Sequence, residues 1–379
     1  MRLVGDLEAD GLLDSATTIW CGVFKDIDTQ EVHVFRPEDV HKIPEFLDRA
    51  TALIMHNGIQ YDKPLMQKVL GYDYTGPLVD TLVMSRLQKP GRLPPRGCRA
   101  GPHSVEAWGM RFGRQKLEHE DWSRFSDDML HRCREDVEIQ CMILTALLDE
   151  GKDGNWKQAH KTTFKLFEIL HKQEEYGWLA DQEHMQWCIH TLTRWMDRID
   201  RAVQPHLPLP CIRPGKTKGE YNYYKSPFTK AGKLQAYVVK YLQSCSADSL
   251  SDCIAGPFSK VTFRRVDLNS NDETKNFLLD SGWVPEQWNT NDDGNRTSPK
   301  LSHTENFEGV RGTLGRLIAR RVQCRHRRSQ ITGWVESIRA DGRISQRISG
   351  IASTGRLKHQ GIVNVPGLEA FFGKQMRRC

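Results

Sequence analysis

The sequence predicts an α/β domain over residues 1–155, followed by a mainly helical region. Three short runs with strand propensity lie near the start, at Leu3–Asp6, Thr18–Phe24 and Glu31–Phe35. Helical spacing of apolar residues dominates from Ser104 onward. Because consecutive strands with short connections usually pair, we expect the first three strands to form an antiparallel meander.

The segments that follow alternate between strand and helix. Ala52–His56 is a short apolar run, Tyr61–Leu70 has helical spacing, and Val79–Leu82 is expected to form another short strand. The segment Lys89–Pro102 is rich in Pro, Gly and Arg, so we expect a loop there. Four helices are then predicted, the second with a break near Arg132: Ser104–Phe112, Ser126–Leu148, Lys161–Glu175 and a fourth that Asp181 caps and that runs to Ile199.

Length and composition limit the class of protein. At 379 residues, with 38% hydrophobic residues, the chain is long enough for two or three globular domains. Nothing in the sequence approaches the roughly 18 uninterrupted apolar residues of a membrane span, so we expect no membrane association. Ten cysteines occur without a Cys-x-x-Cys pair, which argues against a zinc ribbon or a disulfide framework and favours a reducing cytoplasm.

Acidic residues form three motifs in the first third of the chain. Asp6 and Glu8 lie two residues apart, Asp62 ends a His-Asn-Gly-Ile-Gln-Tyr-Asp segment, and Asp136 follows in a predicted helix. Residues two apart on a strand point to the same face, so Asp6 and Glu8 would present neighbouring carboxylates. Such carboxylates repel one another unless cations lie between them, and oxygen ligands suit magnesium or manganese. The pattern indicates a site for two divalent metals, which can hydrolyse a phosphodiester when they lie about 3.5–4 Å apart.

The net charge of +6 is unevenly distributed. Carboxylates dominate residues 118–136, whereas a predicted helix without acidic residues carries six arginines: Arg316, Arg320, Arg321, Arg325, Arg327 and Arg328. Such a helix suits contact with a phosphate backbone, and a solvated helix face is the alternative. Lysines and tyrosines are interleaved over residues 211–257, where they would either follow a nucleic-acid strand or form a small lobe with tyrosines in its own core.

Five motifs occur in a characteristic order: Asp6-x-Glu8, His56-Asn57-x-x-x-Asp62, Val79-Asp80-Thr81-Leu82, His103-Ser104-Val105-Glu106-Ala107-Trp108-Gly109, and the helix with Asp136. Together they resemble the 3′–5′ exonuclease domain of phage family A DNA polymerases of the T7-like podovirus type. The resemblance implies a ribonuclease-H-like fold of the DEDD exonuclease superfamily. It also implies that Asp6, Glu8, Asp62 and Asp136 bind two magnesium or manganese ions for the removal of 3′-terminal nucleotides.

Motifs farther along extend the resemblance to the thumb and the start of the palm: Glu174-x-x-Gly177 with Asp181, then Asn269–Pro285, then Ser353-Thr354-Gly355-Arg356-Leu357 with Asn364-Val365-Pro366-Gly367. The resemblance implies an exonuclease domain at 1–155, a thumb at 156–335 with an insertion around 211–257, and a palm fragment at 336–379. Arg356 resembles an arginine that this family places against the primer-template duplex. An ordinary turn with a surface arginine is the alternative.

The sequence stops at Cys379, before the place where this family has its palm aspartates and its fingers helix. We therefore expect either one subunit of a split polymerase or a truncated product, which would act on primer-template DNA and single-stranded 3′ ends in the cytoplasm of an infected bacterium. A second chain with palm and fingers would dock on apolar residues that otherwise lie exposed: Ile348, Ile351, Val363, Val365, Phe371 and Phe372. By the same resemblance, residues 211–257 would bind a thioredoxin-like processivity factor, another protein or none.

One position departs from the family pattern. The family places a water-positioning tyrosine four residues before the last aspartate, where this chain has Arg132, which stays protonated and cannot act as a base. His131 matches the spacing of the histidine subclass, and an imidazole suits general-base work. On a continuous helix His131 would point away from Asp136, so that role requires a break before Arg132, and a surface histidine is the alternative. Two other functions stay open, a DNA-binding assembly subunit with a weak or inactive exonuclease and a free-standing exonuclease.

Overall fold

Structure is described here for residues 1–114, 119–208, 211–212, 223–244, 254–291, 293–301 and 312–379, in a computed structural model. Contacts between residues divide the chain into two units. The first unit contains residues 1–180 and 337–364, and the second contains residues 181–336 and 365–379. The regions predicted at 1–155, 156–335 and 336–379 come from the family resemblance and not from packing, so these boundaries stay predictions.

Five strands form the sheet of the first unit: β1 Arg2–Ala9, β2 Ile19–Asp26, β3 Val32–Phe35, β4 Ala52–Met55 and β5 Leu78–Asp80. Their order in the sheet is β3-β2-β1-β4-β5. Strands β1, β2 and β3 pair antiparallel in chain order, which confirms the predicted meander. Strands β4 and β5 instead run parallel to β1, so the sheet is mixed.

Six α-helices accompany this sheet among the described residues of 1–180: α1 Ile43–Leu47, α2 Asp62–Leu70, α3 Thr81–Gln88, α4 Val105–Arg111, α5 Asp127–Glu150 and α6 Lys157–Tyr176. A two-residue strand, β6 Trp178–Leu179, follows α6. Gly177 lies between them with φ +68°, a backbone conformation that glycine adopts without strain, and α6 ends just before it at Tyr176, one residue after the predicted last residue Glu175.

The two faces of the sheet pack against different helices. Leu3 and Leu7 of β1 lie in a core with residues of α1 and α2, whereas Val4 packs in a second core with Cys133 and Val137 of α5. Since successive residues of a strand alternate between faces, the even-numbered residues of β1 face α5. The β1 register therefore directs two acidic side chains, those of residues 6 and 8, toward that helix.

Helix α5 is continuous over 24 residues, and the predicted break near Arg132 is wrong. Ser126 starts the helix by accepting a hydrogen bond from the Met129 N–H at 3.1 Å. Met129, Cys133 and Val137 are all buried at a spacing of four residues, so packing along the whole segment favours a straight helix.

The strand predicted over Val79–Leu82 is wrong in its second half. Strand β5 ends at Asp80, and the Asp80 carboxylate accepts hydrogen bonds from the N–H groups of Leu82 and Val83 at 2.9 and 3.0 Å. An aspartate in this position caps a helix, and α3 accordingly begins at Thr81.

The second unit contains four helices among its described residues before the chain returns to the first unit: α7 Gln182–Val203, α8 Ala236–Ser244, α9 Asn271–Asp280 and α10 Gly312–Glu336. Short antiparallel pairs of strands accompany them: β7 Cys211–Ile212 with β10 Thr262–Phe263, β8 Tyr223–Tyr224 with β9 Phe258–Ser259, and β11 Trp288–Thr290 with β12 Arg296–Pro299. Asp181 caps α7 by accepting from the His184 N–H, as predicted. No helix in the described ranges is long and apolar enough to cross a membrane.

Helices α7 and α10 pack antiparallel. Asp200 near the end of α7 pairs with Arg321. Thr193, which lies seven residues before Asp200 on α7, contacts Arg328, which lies seven residues after Arg321 on α10. A shared apolar core buries Ile199 and Val203 against residues of α9 and α10. Trp283, from the predicted thumb segment, is part of this core.

Two of the described tyrosines of residues 211–257 contribute to a small core, whereas Tyr223 and Tyr237 are exposed. Tyr224 and Tyr241 pack with Phe258, at ring-centroid distances of 5.1 and 6.3 Å, next to Val238 and Leu242. This observation confirms the small-lobe alternative for these two side chains. Lys216, Lys218 and Tyr221 lie outside the described residues.

The last part of the chain contributes to both units. In the first unit, β13 Arg343–Ile344 pairs with β6, and β14 Ile348–Ile351 forms a hairpin with β15 Leu357–His359. In the second unit, the chain ends with the short helix α11 Gly373–Met376.

The palm-entry residues are less exposed than the sequence suggested. Ile348 and Ile351 are buried against Ile59, Val83 and Phe167, so the predicted exposure of these two isoleucines is wrong. Phe372 is buried as well, in the second unit. The reason is that the chain supplies its own partners for this segment, namely α3 and α6 for the hairpin and aromatic residues of α7 for Phe372.

Candidate metal centre

Three of the four predicted metal carboxylates converge. Asp6 and Glu8 extend from β1 toward α5, and Asp136 extends from α5. One carboxylate oxygen from each residue lies within 4.8 Å of the other two. Glu8 and Asp136 are buried. Buried carboxylates held this close have the oxygen-donor chemistry that divalent cations such as magnesium require.

Asp62 lies beside this group. It is the first residue of α2 and is buried, and its carboxylate accepts a hydrogen bond from the backbone N–H of Leu7. Pairing of β1 with β4 ends at Val4 and Ile54, which leaves the next part of the β1 edge available for this contact. Leu7 lies between Asp6 and Glu8 in β1. The Asp62 carboxylate, the fourth of the predicted set, therefore contacts the same segment of β1 backbone that carries Asp6 and Glu8.

Burial raises the pKa of Asp62 to about 8, and the nearby charge of Asp80 adds to the effect. Asp80 is itself fully buried, and it accepts hydrogen bonds from the N–H groups of Asn57 at 3.2 Å and Ile59 at 3.1 Å in addition to those that start α3. It thereby fixes the loop that precedes Asp62. A bound cation would favour the ionised form of Asp62, so a proton at this position is compatible with an apo metal site.

Without metal, we expect Asp62 to make the free energy of unfolding fall as pH rises from about 4 to about 8, with a slope of about 1.4 kcal/mol per pH unit for this one group. Folded Asp62 keeps its proton over this interval, whereas the unfolded side chain ionises near pH 3.8. The folded state therefore binds more protons, and raising the pH favours unfolding. Chemical denaturation in chelator at several pH values measures the slope. Asp62→Asn should reduce the dependence of the unfolding free energy on pH. Asp128→Asn, an exposed control on α5, should leave that dependence unchanged. Equal slopes in the wild type and both variants would contradict the prediction.

Arg132 occupies the position where the family resemblance predicts a tyrosine, and it faces the carboxylates. Its Nε lies 3.3 Å from Oε1 of Glu8. Its guanidinium carbon lies 5.0 Å from the ring centroid of Trp122, whose backbone carbonyl accepts a hydrogen bond from Trp20 at 2.9 Å. The centre therefore contains a permanent protein cation, held between an acid and an aromatic ring.

His131 does not face the centre. Because α5 is unbroken, the side chain one position before Arg132 turns to the outside, and His131 is exposed. The helix break that a general-base role of His131 requires is absent from the continuous helix α5, which argues against that role. The surface-histidine alternative is the one that the structure supports.

Sequence reasoning missed Gln140. Its side chain is fully buried, and its Nε2 donates a hydrogen bond to Oδ1 of Asp6 at 2.8 Å. Arg132, Asp136 and Gln140 are spaced by four residues and so share one face of α5. Their spacing was the available signal, since a polar residue one turn after Asp136 would lie toward the same carboxylates.

The other residues near the motifs have structural contacts. Nδ1 of His56 lies 2.9 Å from Oγ1 of Thr81, which supports hydrogen bonding at a strand end as the role of His56. Trp108 is buried against Ile139 and Ile143 and therefore belongs to the hydrophobic core.

Two of the predicted DNA-binding arginines on α10 are buried. Arg321 pairs with Asp200 and donates to the Leu268 carbonyl at 2.7 Å, and Arg327 is buried with Gln330 Oε1 3.3 Å from its Nη1. Internal partners use the donors that a phosphate would need, which argues against a DNA contact by Arg321. For Arg321 and Arg327 the alternative of a solvated helix face is wrong, because both side chains are buried.

The remaining arginines retain accessible surface. Arg320 is exposed with its guanidinium carbon 4.1 Å from the Phe371 ring centroid, and Arg356 is exposed in the turn between β14 and β15. Arg325 is half-buried and donates to Asn269 and Asn271. Arg328 is half-buried, with Nη1 3.4 Å from Thr193 Oγ1. DNA contact by Arg320, Arg325, Arg328 and Arg356 stays a prediction.

The chain is similar in sequence to the DNA polymerases of two phages. No protein family model matches the chain. The DNA-directed DNA polymerase of Escherichia phage T7 is 25% identical over 465 residues, and that of Enterobacteria phage T3 is 25% identical over 468 residues. Each match covers 99% of this chain and 64% of the relative, so the chain spans less than two thirds of the relatives' length.

A solved structure has a similar fold. The polymerase domain of Pol1 from M. smegmatis, in complex with DNA primer-template and dNTP, gives a TM-score of 0.57 at 13% identity, covering 99% of this chain and 54% of that chain. This likeness concerns the fold alone, whereas the sequence matches to the phage enzymes extend over almost every residue of this chain. The chain is therefore a homologue of the phage DNA-directed DNA polymerases.

Proposed function

We propose that this chain is a metal-dependent 3′–5′ DNA exonuclease that also carries the thumb and the start of the palm of a phage family A polymerase. The observation that carries the proposal is the convergence of Asp6, Glu8 and Asp136, with Asp62 bound to the backbone between the first two. Homology to phage DNA polymerases supports DNA as the substrate. Proofreading in the cytoplasm of an infected bacterium is the corresponding biological role.

Each residue of the carboxylate centre would have a distinct role in metal binding or catalysis. Asp6, Glu8, Asp62 and Asp136 would hold the metals, and Gln140 would fix the orientation of Asp6 through its 2.8 Å hydrogen bond. When bound, two magnesium or manganese ions would supply water activation and stabilisation of the leaving oxygen. Arg132 would offer its charge to Glu8 or to the substrate phosphate, but it would take no proton. The products would be deoxynucleoside monophosphates.

A primer-template with a mismatched, 5′-labelled primer tests this proposal directly. We expect stepwise shortening from the 3′ end in magnesium and none in chelator, because the carboxylates bind no substrate phosphate without a cation. A primer with a 3′-terminal phosphorothioate linkage serves as a matched substrate control and should be shortened more slowly. Cleavage within the primer, or shortening that persists in chelator, would contradict the assignment.

We further propose that DNA synthesis requires the part of the relatives that this chain does not match, supplied by a second polypeptide with palm and fingers. This chain covers 64% of the phage enzymes, so the part that a second polypeptide would supply corresponds to the remainder of those relatives. The apolar residues of the β14–β15 hairpin give no support to a docking surface for that polypeptide, because Ile348 and Ile351 are buried within this chain. Primer extension that appears only when such a polypeptide is added would support the split arrangement, and extension by this chain alone would refute it.

A second candidate function is a DNA-binding assembly subunit whose exonuclease is weak. The contact between Arg132 and Glu8 favours it, because a guanidinium at this acid competes with a metal and cannot replace the missing tyrosine. The same primer assay separates the two functions. Duplex binding without metal-dependent shortening would favour the assembly subunit.

A further inference from the structure

One histidine and two cysteines converge in the second unit. They are His184 and Cys188 on α7 and Cys379 at the end of the described chain. One donor atom from each lies within 4.8 Å of the other two. The Cys188 sulfur lies 3.6 Å from Nε2 of His184 and 4.0 Å from the sulfur of Cys379. The proposed nuclease uses none of these three residues.

Local structure brings the three donors together. His184 and Cys188 are four residues apart on α7, so they lie on one face of the helix. The Asp181 N–H donates a hydrogen bond to the Cys379 carbonyl at 2.9 Å, which fixes Cys379 next to the start of α7. Cys188 is fully buried, and His184 and Cys379 are half-buried. The cluster is thus formed by ordered backbone and is accessible from one side.

The distances match those between ligands of one tetrahedral metal. Zinc binds sulfur at about 2.3 Å and nitrogen at about 2.0–2.1 Å, which separates two sulfurs by about 3.8 Å and a sulfur from a nitrogen by about 3.6 Å. The observed separations are 4.0 and 3.6 Å. A disulfide would instead require about 2.05 Å between the sulfurs.

Donor chemistry selects the metal. Thiolate sulfur and imidazole nitrogen favour zinc, whereas magnesium and manganese prefer the oxygen ligands found at the carboxylate centre. The neighbouring carbonyl of Gln375 lies 3.0 Å from His184 Nε2 and 3.6 Å from the Cys379 sulfur. Without a metal, the imidazole and the Cys379 thiol can therefore both hydrogen-bond to this carbonyl. A metal would replace those two contacts with stronger bonds.

We propose that His184 Nε2 and the sulfurs of Cys188 and Cys379 bind one zinc ion, with a water in the fourth position. Each thiol loses its proton to the solvent as its sulfur binds. Because Cys188 belongs to α7 and Cys379 follows α11, the ion fastens the segment of residues 365–379 to α7. The role is structural, and it is independent of the proposed exonuclease.

Zinc titration of the metal-stripped, fully reduced chain tests the proposal. We expect one zinc per chain with an apparent Kd of about 10 nM or below, measured by competition with a chromophoric chelator. Cobalt(II) in place of zinc should give the charge-transfer absorption that thiolate ligands produce. Running the titration also in Asp6→Ala excludes zinc at the carboxylates, since stoichiometry should remain one there.

Variants of the three ligands should weaken zinc binding at least about a hundredfold, because each removes one of three protein ligands. Cys141→Ser is the matched control, a half-buried cysteine of the first unit that should leave the affinity unchanged. Should Cys188→Ser fail to fold, the half-buried Cys379→Ser tests the same ligand set. Zinc should also raise the melting temperature of the wild-type chain and leave that of Cys379→Ser unchanged.

Three results would overturn the zinc site. One is the absence of stoichiometric zinc binding by the reduced chain. Another is equal affinity in the wild type and Cys379→Ser. The third is a purified chain in which mass spectrometry finds Cys188 and Cys379 joined and in which reduction restores no zinc binding. None of these results depends on nuclease activity, so failure of the zinc site and failure of the proposed function are distinguishable.

Discussion

Asp6→Ala should lower magnesium-dependent removal of 3′-terminal nucleotides by about a thousandfold or more, since loss of one well-placed electrostatic group alone costs about 10²–10³ in rate. Asp6 supplies one of the three converging carboxylates and is the acceptor for Gln140. Removing it takes away a metal ligand and the group that Gln140 holds in place. Single-turnover digestion of a labelled mismatched primer-template measures the effect.

Asp128→Ala is the control for this experiment. Asp128 is an exposed carboxylate in the first turn of α5, the helix that carries Asp136, and its removal should change the rate less than about twofold. A melting temperature measured in chelator checks that Asp6→Ala is folded. Wild-type activity in a folded Asp6→Ala protein would disprove the proposed site and would point to a contaminating nuclease.

Arg132→Met should have opposite effects on stability and on metal binding. Without metal, the free energy of unfolding should fall by about 2–4 kcal/mol, because Glu8 then stays buried beside two other acids without its cation. With metal, the magnesium concentration for half-maximal exonuclease activity should fall about tenfold, since Arg132 no longer competes for Glu8. Denaturation in chelator and a magnesium titration of primer shortening measure the two effects.

Arg134→Met controls for the loss of an arginine from α5. Arg134 lies two residues farther along and is exposed, so neither stability nor magnesium dependence should change appreciably. A higher magnesium requirement in Arg132→Met would show that Arg132 contacts the substrate phosphate and does not compete with the metal. Arg132→Tyr, which introduces the residue type of the family pattern, separates these roles further.

Sequence patterns were sufficient for the parts that depend on local periodicity. The alternation of β1 predicted that Asp6 and Glu8 share a face, and the meander of β1, β2 and β3 followed from three short runs with brief connections. Asp181 as a helix cap is another local signal that the structure confirms. Metal binding by the converging carboxylates stays a prediction.

Features that depend on tertiary contacts could not be predicted from local sequence patterns. A helix break before Arg132 was inferred from a functional requirement, whereas packing of Met129, Cys133 and Val137 keeps α5 straight. The burial of Arg321 could not be foreseen, because its partner Asp200 lies 121 positions away in the sequence. The zinc ligands were missed for a similar reason, since Cys379 is 191 positions from Cys188.

The two separated segments of the first unit have a consequence for synthesis of the protein. Ile59, Val83 and Phe167 emerge from the ribosome early, but the isoleucines that cover them belong to the β14–β15 hairpin. The unit that bears the carboxylates therefore stays incomplete until residues 337–364 have been translated. During that interval its apolar surface is open to chaperones and to aggregation, so folding of the nascent chain is closer to a late, collective event than to domain-by-domain assembly.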